Sequence, residues 1–244
     1  MADTTLDIAG KGIQTAEEQM SALVNRMSNA ETPGFKGSDV LVKSFKLELE
    51  AAENKLSTQK PEVVGSVYNF SQGSLIPTNK PTDLAIGGKG FFVIQGTWGE
   101  GYSRDGRFYV NNRGELVTVA GHYRVVGERG PISIESGKDF SVTETGEIRV
   151  DGVFVDRLRV VDFDDKTKLQ SLNGVIFKAG EEALEQKDVE SPRIVQGFVE
   201  SSNSNAVSEM VELVSLSRMY STVAKLVSTR DGVMSQTISI GRPQ

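Results

Sequence analysis

Gly87-Gly88-Lys89-Gly90 has the composition of a loop that cradles phosphate: glycines that let backbone N–H groups approach an anion, and a lysine to neutralise it. It lacks the spacing of a P-loop and opens no helical pattern, so a hairpin turn or bulge is the better reading. Asp162, Asp164 and Asp165 could offer oxygen ligands to calcium, but their spacing is not that of an EF-hand loop, and a solvated strand end accounts for them. His122 is the sole histidine and falls in a predicted turn. With no cysteine and no second histidine, neither a zinc site nor a nucleophile–base–acid triad can be completed around it. No catalytic residue, metal ligand or cofactor site is therefore expected, and the chain reads as something other than an enzyme.

The residue types with the clearest spacing are apolar. Leu6, Ala9, Ile13, Ala16, Met20, Leu23, Met27 and Ala30 recur at alternating steps of three and four near the start. Ala206, Met210, Leu213, Tyr220, Ala224, Val227 and Met234 do the same near the end, with Ser217 and Asp231 filling the gaps. Such steps draw a narrow line along a helix, the geometry of a seam for other helices rather than the broad face of a globular core helix. The chemistry on offer is cohesion. Leu6, Ile13, Met20, Leu23, Met27, Met210, Leu213, Tyr220, Val227 and Met234 are the candidate subunit-interface residues. Tyr220 is the bulkiest on its seam, and its spacing fits packing within the molecule as well as contact between subunits.

Those stripes need helices to carry them. The first is predicted from about residue 4 to 30, weakened by Gly10 and Gly12, each by roughly 1 kcal/mol relative to alanine. It must stop before Thr32-Pro33-Gly34, because proline cannot continue a helix and disfavours helical backbone before it. Phe35 follows as an apolar anchor. The second helix is predicted over about 205–238, on the order of 50 Å long. Ser201-Ser202-Asn203-Ser204-Asn205 supplies several possible N-caps, and Glu209 is placed to favour the helix dipole.

Between the helices the pattern changes. Residues 39–56 fit one helical face through Leu41, Phe45, Leu49, Ala52 and Leu56, although Phe45–Glu50 also alternates like a strand; a helix is preferred, followed by an irregular link. From Gly73 to about 200, short apolar runs punctuated by glycine predict strand after strand. The expected fold is α+β: long N- and C-terminal helices pairing as a coiled-coil-like ribbon, with an all-β domain inserted between them. The expected divisions are 1–36 with 201–244 as the helical domain, 37–72 as a partly helical linker, and 73–200 as the β domain. A two-helix ribbon cannot exclude water from its seam alone, so neighbours are needed, and the isolated protein should have mobile termini.

The net charge is −6, which argues against a nucleic-acid partner. No apolar run approaches the length of a membrane span. Asp3 and Asp7 stand where a Sec signal would be basic, so no cleaved Sec-type signal is expected.

Several segments, taken in order, resemble the bacterial flagellar rod and hook proteins, the axial proteins of the flagellar basal body. Ser28-Asn29-Ala30-Glu31-Thr32-Pro33-Gly34-Phe35-Lys36 resembles the run that closes the first helix in that family. Asn29, Thr32, Pro33, Gly34 and Phe35 form the candidate hinge: a mere helix stop, or a joint that fixes the helix against the β domain. Gln72–Leu75, Thr78–Ile86, Gly90–Val93, Tyr102–Phe108 and Gly114–Thr118 resemble the family's first β block, and Gln196–Asn203 with Glu209-Met210-Val211 its C-terminal block. Gly88-Lys89, Ser204 and Asp231-Gly232 depart from the usual residues.

The resemblance implies a structural subunit that polymerises into the rod crossing the periplasm, helices lining the inner tube and β domain outside. Its partners would be copies of itself, other rod proteins and the flagellar type III export apparatus. Length and the tail Ser239-Ile240-Gly241-Arg242-Pro243 look closest to the proximal-rod type, with the distal-rod type the nearest rival and a hook type further off. A secreted β-domain enzyme and an extracellular binding module are the competing classes, and no convergent acid–base or nucleophile set supports them.

Overall fold

The computed structural model describes residues 2–43, 62–135, 137–180 and 185–240. The chain divides into two compact units: Met1–Ser28, Ser38–Val67 and Asn205–Gln244 form one, and Asn29–Gly37 with Tyr68–Ser204 the other. The fold is α+β, with terminal helices that pack together and a central region of antiparallel sheets.

In the helical unit, α1 (Ala2–Ser28) and α2 (Ala206–Ile240) run antiparallel. Arg26 of α1 meets Glu209 of α2, and nine residues earlier on α1 Glu17 meets Tyr220. Gly10 and Gly12 are accommodated inside α1, so tertiary pairing overrides their low propensity. Asn205 is the N-cap of α2: its Oδ1 accepts from Val207 N at 3.0 Å and Ser208 N at 3.3 Å. The helix expected over 39–56 is not what 38–43 form. Ser38–Lys43 is a strand, paired with Glu62–Tyr68 in a two-stranded sheet. The rest of that stretch, including Phe45, Leu49, Ala52 and Leu56, lies outside the described residues. The helical spacing there competed with β-branched Val40 and Val42, and pairing decided.

In the β unit, the largest sheet runs Leu169–Ser171, Ile176–Ala179, Gly99–Ser103, Phe91–Gly96, Arg124–Gly127, Leu116–Thr118, Phe108–Val110. Its central strand explains the uninterrupted Phe91-Phe92-Val93-Ile94 run. Alternate side chains point to opposite faces. Phe91 and Val93 enter one core with Tyr102, Val161, Phe163 and Phe177, while Phe92 enters another with Leu84, Phe108, Leu116 and Ile148. Both faces are dry, so no polar position interrupts the run.

Phe108–Val110 and Leu116–Thr118 pair antiparallel across Asn111–Gly114. Gly87–Gly90 is not a hairpin turn. Leu84–Ile86 pairs with Ile194–Gln196, and Phe91–Gly96 with other strands. The apolar run over residues 194–199 is broken at Gly197, which has φ of 79°, a conformation that favours glycine. Phe198–Glu200 beyond it pairs separately with Leu75–Pro77.

Candidate assembly surface and joint

The helix seam is built from α1 residues Ile13, Ala16, Met20, Leu23 and Met27. Ala16 and Leu23 are buried, the other three half-buried. On α2 the covered residues are Ala206, Glu209, Leu213, Leu216, Tyr220, Val223, Ala224 and Val227, a line at steps of three and four with Val223 and Ala224 side by side. This line shares Ala206, Leu213, Tyr220, Ala224 and Val227 with the sequence-derived seam. Between them it substitutes Glu209 and Leu216 for Met210 and Ser217. Met210 is 51% exposed, so it does not lie against α1. Leu6 and Met234 fall within the helices, but their side chains lie outside the described residues. Tyr220 is half-buried, and its hydroxyl donates to Glu17 Oε1 at 3.2 Å, which holds the phenol above its ordinary pKa.

Where α1 ends, Arg26 gathers three carboxylates. Its guanidinium pairs with Glu209 at 2.8 Å, Glu212 at 3.4 Å and Asp39, and donates to Ser38 O at 3.1 Å. Burial alone would lower the guanidinium pKa. The Glu209 hydrogen bond and the three negative charges outweigh it and raise the value. One cation thus ties α1, α2 and the strand at Ser38 together.

The hinge residues lie in the β unit. Thr32 N donates to Asn29 O at 3.1 Å and Phe35 N to Thr32 O at 3.2 Å, so Pro33 and Gly34 sit inside consecutive tight turns. Pro33 is half-buried. Gly34 has φ of 71°, and a Cβ there would collide with the backbone of Arg104 and Asp105, so only glycine fits. Phe35 is 1% exposed, and its ring lies where a side chain at Gly174 would be. The backbone is stitched in by Gly34 N to Glu200 O at 2.8 Å and Lys36 N to Gly174 O at 2.9 Å. Asn203 Oδ1 accepts from Gly37 N at 2.9 Å.

Beneath this joint lies a charged centre that sequence reasoning did not single out. Glu200, fully buried, pairs through one oxygen with Lys36 at 2.5 Å and through the other with Arg104 at 3.0 Å. Gly73 N also donates to it, at 3.0 Å. Lys36 reaches Ser71 O at 2.7 Å, and Arg104 reaches Gly88 O at 2.7 Å while lying over the Phe91 ring. Burial pushes the Lys36 ammonium and the Arg104 guanidinium below their ordinary values, and the attraction of Glu200 only partly offsets it. Burial opposes the attraction in such a cluster, so its short distances do not translate into an equal gain in stability. No sequence periodicity links Lys36 to Glu200, which are 164 positions apart.

The residues weighed for catalysis have ordinary roles. Asp165 Oδ1 accepts from Thr167 N at 3.0 Å, Asp162 pairs with Lys166 at 2.8 Å, and Asp164 with Lys187 at 2.5 Å. His122 Nδ1 shares a hydrogen bond with the Tyr109 hydroxyl at 2.7 Å on the surface. Gly88 N binds Gln72 Oε1 at 3.1 Å and its carbonyl binds Arg104, so this loop is already engaged by protein groups. Among the described residues no group of three or more His, Asp or Glu is placed to hold a metal, and no helix is long and apolar enough to cross a membrane.

Two family models match the chain. Residues 85–150 match the flagellar hook protein FlgE/F/G D1 domain, and residues 195–240 the C-terminal region of flagellar basal body rod FlgEFG proteins. The flagellar basal-body rod protein FlgF of Caulobacter vibrioides is 32% identical over 233 residues, covering 92% of each chain. FlgG of Buchnera aphidicola from Schizaphis graminum is 27% identical over 252 residues, covering 94% of this chain and 96% of its own. FlgF of Rhizobium meliloti is 27% identical over 239 residues, covering 96% of both.

Proposed function

The chain belongs to the flagellar basal-body rod protein family, a structural and non-catalytic class, and from that premise we propose that it is a rod subunit of the proximal type. It polymerises with copies of itself and with other rod proteins into a helical tube that transmits torque across the periplasm. It reaches that place through the flagellar type III export apparatus. The terminal helices form the inner tube, and the β region forms the outer layer. The turns at Asn29–Phe35 end the first helix and anchor Phe35 in the β unit.

The observation that carries the assembly reading is on α2. Val207, Met210, Val211 and Val214 are all more than half exposed on a helix whose other side is already covered by α1. Water contact on so many apolar side chains is relieved only by a neighbour, each contributing roughly 1.5–3 kcal/mol when fully covered. The proximal assignment rests on the length and the tail Ser239-Ile240-Gly241-Arg242-Pro243, which resemble that type; FlgF-named and FlgG-named relatives both match over more than 90% of the chain.

Removing residues 1–30 should abolish incorporation into basal bodies, whereas an enzyme or binding module would keep its activity. Electron microscopy of basal bodies from a strain lacking the protein separates the rod types. The proximal reading expects particles with no distal rod; a nearly complete rod lacking only its outer part would assign the chain to the distal rod instead.

A further inference from the structure

Two different surfaces of the helical unit complement each other and cannot meet within one molecule. The first is a ridge. Val207, Val211, Val214 and Arg218 follow one another at steps of four, three and four, so they form a line along α2, with Met210 beside it. At 100° per residue this line lies roughly 150° around the helix from the line that faces α1. The three valines and Met210 are 51–71% exposed. Arg218 and Lys225, further along the same line, have no ionic partner among the described residues.

The second is a cleft of about 310 Å³ between α1, α2 and the strand at Ser38–Lys43. Leu23, Ala22, Val40 and Leu216 line it with apolar surface, and Met219 stands at its side, 52% exposed. Its rim is acidic. The Asp39 and Glu212 side chains, which Arg26 only partly neutralises, are 67% and 62% exposed. The α2 residues of the cleft lie on a flank of the helix away from the ridge, so a molecule cannot fill its own cleft with its own ridge.

We propose that the valine ridge of one copy of this chain seats in the Leu23–Leu216 cleft of the next, with Arg218 of the ridge against Asp39 and Glu212 of the rim. The inference rests on the rod-subunit reading and names the surfaces by which copies join. Apolar ridge matches apolar floor, and an unpaired cation on one surface matches surplus carboxylate on the other. Because the two surfaces differ, the contact is heterologous. Each copy offers a free cleft at one side and a free ridge at the other, so the contact passes from copy to copy rather than stopping at a dimer.

The chain has no cysteine, which makes the contact directly testable. Cells co-producing Val211→Cys and Gln19→Cys full-length chains, distinguishable by size tags, are oxidised and their basal bodies purified. The expected result is a cross-linked pair containing one of each variant, with none from cells producing either variant alone. Incorporation without the mixed pair, or a Val211→Cys homodimer, overturns the ridge-in-cleft contact and leaves the rod reading intact. Absence even of unmodified protein from basal bodies overturns both. A charge exchange gives an independent result. Arg218→Glu should cut incorporation by about tenfold or more, since like charges then face each other. Adding Glu212→Arg in the same chain should restore it, and failure to restore it counts against the contact.

Discussion

The strand Phe91–Gly96 and the helix α2 are both rich in apolar residues, yet the two units treat them differently. On the strand, both faces are covered by the molecule's own side chains: Phe91, Phe92, Val93 and Ile94 are each 1% exposed or less. On α2, one side is half-covered by α1 and the other stays in water. That strand is thus covered on both faces by its own chain, and α2 is not. The charged clusters follow the same division. Glu200 draws Lys36 and Arg104 into a dry interior and pairs with both, while Arg104 Nε is buried there without a hydrogen-bond partner. Arg26 gathers Asp39, Glu209 and Glu212 at a rim where two carboxylates still face solvent.

This contrast can be broken most severely in the β unit. Glu200→Leu leaves Lys36 and Arg104 as buried cations without their counter-charge, and should destabilise the unit by about 3–5 kcal/mol. The single tryptophan, Trp98, lies in that unit, so urea unfolding followed by its fluorescence reads the effect. Replacing the whole cluster with Lys36→Met, Arg104→Leu and Glu200→Leu should recover most of the loss, because burial opposes the attraction there. A triple variant as unstable as the single one would mean that the ion pairs hold the joint by net attraction.

Phe177→Ala should come next, costing about 3–5 kcal/mol through a cavity beside Tyr68, Phe70 and Phe91. Leu23→Ala tests the other unit. It should reduce helicity by far-UV circular dichroism while shifting the Trp98 transition by no more than about 0.5 kcal/mol, the additivity expected of uncoupled sites. The smallest effect belongs to the ridge. Val211→Ser should leave the monomer within about 0.5 kcal/mol, since the side chain touches water. A large loss there would show that the ridge is already part of a folded core.

Much of this division is legible in the residues alone. The Thr32-Pro33 stop places the end of α1 to within a few residues, and the glycine-spaced apolar runs announce the β unit. The register of the α2 seam is harder to read. Apolar residues surround the first half of that helix, so two lines can be drawn through Ala206, Leu213, Tyr220 and Val227, one passing Met210 and the other Glu209. A buried Glu209 is chosen only because Arg26 sits opposite, a fact of tertiary structure. The Ser38–Lys43 strand is hidden for a similar reason, since its partner begins at Glu62 and local spacing favours a helix. The Glu200 centre is assembled from residues 36, 73, 104 and 200, and no local pattern can announce such a meeting. Lys36 belongs to that centre, and Gly34 and Phe35 pack closely just before it in the chain.

Hydrogen exchange on the isolated, monomeric protein, set beside the same protein in purified basal bodies, tests the central claim most directly. In the monomer, amides of Phe92–Ile94 and Val125 should be strongly protected, while those of residues 10–27 and 206–227 exchange orders of magnitude faster. In the assembled state, the helices should become as protected as the sheet. Helices that are already as slow to exchange as the sheet in the monomer, and no slower after assembly, would contradict it.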